Sequence, residues 1–181
     1  ESIDFSSLPD KYILKTNHGC GKILIVNDKL KLNIADTRQK LKTWLNDKYG
    51  LISFEPHYWY IERRVIAEEL LEDNYNASFS SSLIDYKFWC IHGEPEIIVA
   101  MINRGNLVIG INEKDNARTF QDSAYDLEWN MRPDILTSSL HNGVPQALPK
   151  PKCLDEMLKI CRILSKPFLT VRVDLYEVNN K

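Results

Sequence analysis

No apolar run in this chain approaches the roughly 18–20 residues that cross a bilayer, so no membrane span is expected. The opening residues, Glu1-Ser2-Ile3-Asp4-Phe5, show no basic segment followed by an apolar one. No signal peptide is therefore visible, and a cytoplasmic location is expected. Neither sign of charge dominates: 23 Lys+Arg against 25 Asp+Glu leaves a net charge of -2. That balance argues against binding nucleic acid or anionic lipid over the whole surface, though a local basic groove for phosphates stays open. The four cysteines, Cys20, Cys90, Cys153 and Cys161, include no C-x-x-C pair. A zinc ribbon or thioredoxin-like site is not expected, and reduced thiols are. His57, His92 and His141 lie apart without ligand spacing, which argues against a structural zinc. Neither G-x-x-x-x-G-K-[ST] nor G-x-G-x-x-G after a strand occurs.

What is present fits an ordinary folded domain. The chain has 181 residues, 44% apolar and 27% charged. That length suits one domain, or one domain with two lobes, and the composition argues against disorder. Lys11–Lys15 alternates like a strand, Thr16–Lys22 is a polar turn with two glycines, and Ile23–Val26 returns as a second strand. A helix is expected over roughly Asp36–Lys48, capped by Asp36 or Thr37, striped by Leu41, Trp44 and Leu45, and ended by Gly50. Arg64–Leu71 reads as a strand running into a connector, and the polar Asn74–Ser82 as a loop. Asp85–Ile91 and Glu96–Ile102 read as paired strands around a turn at His92-Gly93-Glu94-Pro95. Asn112–Asp122 reads as a polar loop and Pro133–Pro151 as an irregular connection. Leu154, Met157, Leu158, Cys161 and Leu164 form a helical stripe that ends before Pro167. Thr170–Tyr176 is a strand, with a hairpin turn starting in Glu177–Lys181. A strand needs a neighbour, so the natural protein is expected to continue. The tryptophans Trp44, Trp59, Trp89 and Trp129 read as core or lobe-interface packing rather than a glycan platform.

Four groups of residues could carry chemistry, each with a plainer alternative. Lys15 and the His18-Gly19-Cys20-Gly21-Lys22 tip could cradle an anion through backbone N–H groups and two ammonium charges, or could simply be a surface hairpin. The Ala67–Asp73 segment could offer unpaired backbone groups to adenine, or be an acidic strand end. Asp85-x-Lys87, followed by Arg104, could place cations on a transferred phosphate, or form a cross-strand ion pair. Asp174 in Arg172-x-Asp174 could hold Mg²⁺, pair with Arg172, or lie on a solvated face.

The order of these pieces resembles the ATP-grasp superfamily, and most closely its TupA-like family of bacterial polysaccharide-biosynthesis clusters. The resemblance is carried by Leu8–Gly21 (LPDKYILKTNHGCG), Ile66–Asp73 (IAEELLED), Asp85–Cys90 (DYKFWC), Tyr125–Asn130 (YDLEWN) and Pro151 through Tyr176 (ending VRVDLY). It implies an α+β ATP-grasp fold over 1–181, truncated at both ends. A small lobe would span roughly 10–70 and a larger one roughly 83–181, with antiparallel sheets and flanking helices holding a nucleotide between them. Lys15 would meet the α/β phosphates, and His18, Gly19, Gly21 and Lys22 would cover the β/γ phosphates. Glu69, Leu70 and Leu71 would read adenine through backbone groups, with Glu68 or Asp85 near the ribose. Lys87 and Arg104 would serve the γ-phosphate and acyl phosphate, and Asp174 would be the first Mg²⁺ carboxylate. A second metal carboxylate would follow on a strand after Lys181.

The activity implied is an ATP- and Mg²⁺-dependent carboxylate–amine ligase working through an acyl phosphate, in cell-surface polysaccharide biosynthesis. Its partners would be ATP with a carboxylate and an amine substrate, one of them a glycan or sugar nucleotide. The alternatives are a degenerate nucleotide-binding or scaffold module, and phosphoryl or glycosyl transfer in glycan assembly.

Overall fold

The computed structural model describes residues 3–51, 54–72, 78–103, 121–136 and 147–181. The expectations for Arg104, Asp73, most of 112–122 and much of 133–151 lie outside them. The chain divides into two compact units, Glu1–Leu70 and Leu71–Lys181. Both are α+β, and each is built on an antiparallel sheet. Among the described residues neither sheet closes into a barrel, and no helix is long and apolar enough to cross a membrane.

In the first unit, β1 (Tyr12–Thr16) is the centre of a sheet ordered β2-β1-β3, with β2 at Ile23–Val26 and β3 at Val65–Glu69. Alternation along β1 sends Tyr12, Leu14 and Thr16 inward and Ile13 and Lys15 outward. Of these, Tyr12 and Leu14 pack with Phe5, Val26, Leu41 and Trp44, the last two from helix α1 (Ile34–Leu45). Each such side chain contributes about 1.5–3 kcal/mol relative to an exposed position. The helix starts two residues before the expected cap. Asn33 Oδ1 accepts the Asp36 N–H at 3.2 Å, and Asn33 Nδ2 donates to Asp36 Oδ2 at 2.6 Å. This reciprocal arrangement caps the first turn, so Asp36 is the answering residue rather than the cap. The other end also differs. The helix stops at Leu45, whose carbonyl accepts from Arg63 Nη1 at 2.9 Å, while Gly50 (φ 87°) belongs to a later turn.

The second unit is ordered β6-β5-β4-β7, from β4 (Asp85–Ile91), β5 (Glu94–Ile102), β6 (Gln121–Tyr125) and β7 (Thr170–Tyr176). The turn between β4 and β5 is just His92 and Gly93, both with positive φ (50° and 84°), the left-handed pair that suits a tight hairpin. β5 consequently starts at Glu94, earlier than its apolar run begins. The inner face carries Tyr86, Phe88 and Cys90 of β4, Ile98, Ala100 and Ile102 of β5, and Val173 of β7. Helix α2 (Leu154–Ser165) covers them with Leu154, Met157, Leu158 and Cys161 of the expected stripe, whereas Leu164, also expected there, is 51% exposed because Ser165 takes the inward position in the last turn. Trp129 stacks on Tyr125 (4.0 Å between centroids, 5° between planes) and donates from Nε1 to the Leu148 carbonyl at 2.9 Å.

Candidate functional site

In the first unit the loop after β1 is pinned at three points. At its base, Asn17 Nδ2 donates to the Glu62 carbonyl at 2.9 Å, and Asn17 Oδ1 accepts the Arg64 N–H at 2.8 Å. At its tip, Cys20 Sγ lies 2.8 Å from the Tyr49 hydroxyl. On its return, Lys22 Nζ forms an ion pair with Asp47, and this bond holds the Asp47 carboxyl below its ordinary value. Gly19 is needed for space: a Cβ there would stand 2.8 Å from Tyr49 Cγ. Gly21 is needed for conformation, since its φ is 78° in otherwise open space.

His18 is buried, 2% exposed, and its Nδ1 has no hydrogen-bond partner. Burial, then the charge of Arg63, pushes its pKa below the ordinary value, with Lys22 adding to the effect. It is therefore a neutral imidazole inside the loop, not a surface cation.

The outward face of this sheet is half apolar around one ion pair. Lys15 Nζ lies 2.7 Å from Glu68 Oε1, between adjacent strands. Ile23, Ile25 and Ile66 surround them, each 37–41% exposed. Glu69 ends β3 opposite Tyr12, and the Leu70 N–H reaches the Lys11 carbonyl at a long 3.5 Å, so regular pairing stops here. The Leu71 side chain is half exposed. A cavity of about 190 Å³ lies on the opposite, Tyr12 side of the sheet, and contains none of these residues.

In the second unit, Asp85, Lys87 and Trp89 of β4 share the face turned away from α2, opposite Tyr176, Asp174 and Arg172 of β7. Lys87 Nζ sits 2.7 Å from Asp85 Oδ2 and 2.7 Å from Asp174 Oδ2. Arg172 grips Asp174 bidentately, Nε to Oδ1 at 2.7 Å and Nη2 to Oδ2 at 3.0 Å. Its guanidinium also lies 5.7 Å from the Trp89 ring centroid. Burial raises the Asp174 pKa, but the bonds from Arg172 and Lys87 outweigh it, and the net direction is down. Asp174 is thus an ionised carboxylate at neutral pH, 35% exposed, while Asp85 is only 1% exposed.

Among the described residues no group of three or more His, Cys, Asp or Glu could hold a metal ion by itself. The donor set fits a different arrangement. Mg²⁺ takes one or two carboxylates and completes its shell with substrate phosphates and water. Asp174 is an ionised, part-exposed carboxylate of the type this needs, with both oxygens here engaged by Arg172 and Lys87, cations of the kind that suit phosphate oxygens.

The structure thus joins Lys15 with Glu68 in one unit, and Asp85, Lys87 and Asp174 in the other. His18, Gly19, Gly21 and Lys22 share the pinned loop. Sequence reasoning missed Tyr49 and Asp47, whose spacing from the loop gave no signal. It also gave Trp89 to packing, whereas Trp89 is 44% exposed beside Arg172. Trp44 is core, as expected, and Trp59 is exposed.

The family model TupA-like ATPgrasp matches residues 1–181, the whole chain. The chain belongs to the TupA-like ATP-grasp family, and its α+β pair of antiparallel sheets is consistent with that fold. Neither the curated proteins nor the solved structures contain a match.

Proposed function

We propose that this chain, as a TupA-like ATP-grasp protein, is the nucleotide-using part of an ATP- and Mg²⁺-dependent carboxylate–amine ligase of bacterial cell-surface polysaccharide biosynthesis. The observation that supports it most is the Asp85–Lys87–Asp174–Arg172 cluster on the sheet face turned away from α2. It joins a carboxylate suited to Mg²⁺ with two cations suited to phosphate.

In the reaction proposed, a carboxylate oxygen of one substrate attacks the γ-phosphorus of ATP, and ADP leaves. The amine nitrogen of the second substrate then attacks the acyl carbon. Inorganic phosphate departs and the amine proton is lost to solvent, leaving an amide. Bound Mg²⁺ supplies neutralisation of phosphate charge, and Asp174 is the residue to hold it. Lys87 and Arg104 meet the γ-phosphate and the acyl phosphate. Lys15 meets the α/β phosphates, with the backbone of the His18–Lys22 loop over the β/γ phosphates. Backbone groups of Glu69, Leu70 and Leu71 receive adenine, and Glu68 or Asp85 a ribose hydroxyl. Positioning and charge neutralisation then do most of the catalysis, and no side-chain nucleophile is needed.

Thermal unfolding with ATP, with and without Mg²⁺, tests this. Ligand at about 100 times its Kd stabilises by roughly 2.7 kcal/mol. Lys15→Ala is expected to lose about 1–3 kcal/mol of that binding. Asp174→Asn is expected to lose the Mg²⁺-dependent part alone. An ATP effect indifferent to Mg²⁺ and to Asp174→Asn would instead favour a nucleotide-binding scaffold. No ATP effect at all would overturn the nucleotide site.

A further inference from the structure

The segment from the end of α2 into β7 carries large apolar side chains where water should favour polar ones. Ile163 is 72% exposed, Leu164 51%, Phe168 51% and Leu169 74%. Scattered exposed apolar residues are normal on a protein surface, but four within seven positions are not. The segment is also well fastened. The Phe168 N–H donates to the Ser165 carbonyl at 2.9 Å, and the His92 N–H donates to the Leu169 carbonyl at 2.8 Å. Gly93 lies so close that a Cβ built on it would stand 3.4 Å from Lys166 Cα. The turn of the β4–β5 hairpin thus braces the knuckle from below, and neighbouring Ile91 is itself 46% exposed.

Charge around the knuckle is mostly positive, with Lys159 and Lys166 beside the Arg162–Glu94 ion pair. Lys159 and Lys166 lie four before and three after Ile163, on the same side of α2, and Arg162 adjoins it. The carboxylate facing them, Glu94, is bound to Arg162 Nε at 2.7 Å. Asp155 and Glu156 stand in the first turn of α2, at its far end. The chain as a whole is slightly acidic, at -2, so this basic rim is a local feature.

We propose that this knuckle is a membrane-interface docking surface, with an anionic bilayer as its partner. Projecting apolar side chains ringed by ammonium groups match a headgroup layer. The apolar ends enter about 5–10 Å, and the cations remain among the phosphates. The chain lies against the bilayer on this patch and does not span it. The side chains are individually more than half open to water, so they form a projection rather than a groove for a peptide.

Vesicle co-sedimentation tests this, using phosphatidylcholine alone and phosphatidylcholine with about one-third phosphatidylglycerol. The protein is expected to partition onto the anionic vesicles and to release substantially in high salt. Each Lys or Arg near such a surface is worth about fivefold in partition, so Lys159→Gln with Lys166→Gln should weaken binding roughly 25-fold. Ile163→Ser with Leu169→Ser should weaken it at least about tenfold, and these exposed positions should leave the melting temperature unchanged. Absence of binding to the anionic vesicles, or binding unchanged in both double variants, overturns the proposal. So does a concentration-dependent dimer, without vesicles, that Ile163→Ser with Leu169→Ser abolishes; the patch would then face a second copy.

Discussion

Replacing Lys87 with methionine tests the cluster at its centre. The Lys87 side chain is 12% exposed, and its ammonium makes two contacts of 2.7 Å, to Asp85 and Asp174. Methionine keeps much of the apolar stem but removes the charge, leaving the Asp85 carboxylate, 1% exposed, without this counter-ion. Breaking a buried pair from one side costs about 3–5 kcal/mol. Asp174 is a third exposed and keeps its Arg172 fork, which places the loss near the lower limit, about 3 kcal/mol. For a unit of this size that is roughly 12 °C in melting temperature. The companion variant is Asp85→Asn, which removes the charge that Lys87 balances. In the Lys87→Met background it should restore more than half of the loss, a coupling of at least about 1.5 kcal/mol. Circular dichroism melts of the two single variants and the double variant measure this cycle. A Lys87→Met protein that melts within about 2 °C of the parent would refute the reasoning. Simple additivity of the two substitutions would refute it equally.

The remaining predictions concern the pinned loop of the first unit. His18 is held below its ordinary pKa by burial and by Arg63, so the unfolded chain takes up a proton more readily than the folded one. His18 should therefore cost nothing above its unfolded value of about 6.5, and stability should fall as pH drops from there toward the folded value. Urea midpoints between these limits should show that slope, and His18→Gln should flatten it; an unchanged slope would clear His18 of the effect. Asp47, lowered by Lys22, acts in a more acidic window, with stability lost only as pH falls from the carboxylate range through its folded value. Gly19→Ala should cost about 1–3 kcal/mol by pressing on Tyr49, and equal stability to the parent in urea melts would contradict that packing. Gly21→Ala should cost about 1–2 kcal/mol through its left-handed backbone alone, and Gly21→Asn should cost less.

Much of the fold was legible because its elements carry their own periodicity. Tyr12-Ile13-Leu14-Lys15 alternates and is a strand; Leu154, Met157, Leu158 and Cys161 repeat at helical spacing and cover a sheet. β6 was not legible. Its residues, Gln121-Asp122-Ser123-Ala124-Tyr125, hold few apolar or β-branched side chains, and its place comes from pairing with β5. The start of α1 was misplaced because Ile34 is 44% exposed and adds nothing to the apolar stripe that marked the helix. At the candidate site, D-x-K and R-x-D could be read as one-faced strand pairs. Their meeting could not, since it depends on the register that puts Lys87 opposite Asp174. The same holds for Trp89, whose exposure follows from which sheet face α2 covers.

That register has a consequence for the order of folding. The β4–β5 hairpin closes over two residues, while Lys87 and Asp174 are 87 positions apart. Contacts of such separation carry the larger loop-closure cost and are expected to form late. β7 is also the terminal strand of its sheet among the described residues, bonded on one side to β4. An outer strand is where local opening starts at least cost. Partial opening that leaves the hairpin and most of the apolar core in place would therefore carry Asp174 and Arg172 away from Lys87 first. In such a protein the meeting of Lys87 with Asp174 and Arg172 waits for the terminal strand to dock. A chain stalled before that step would keep most of its secondary structure but only the Asp85–Lys87 pair of its charge constellation.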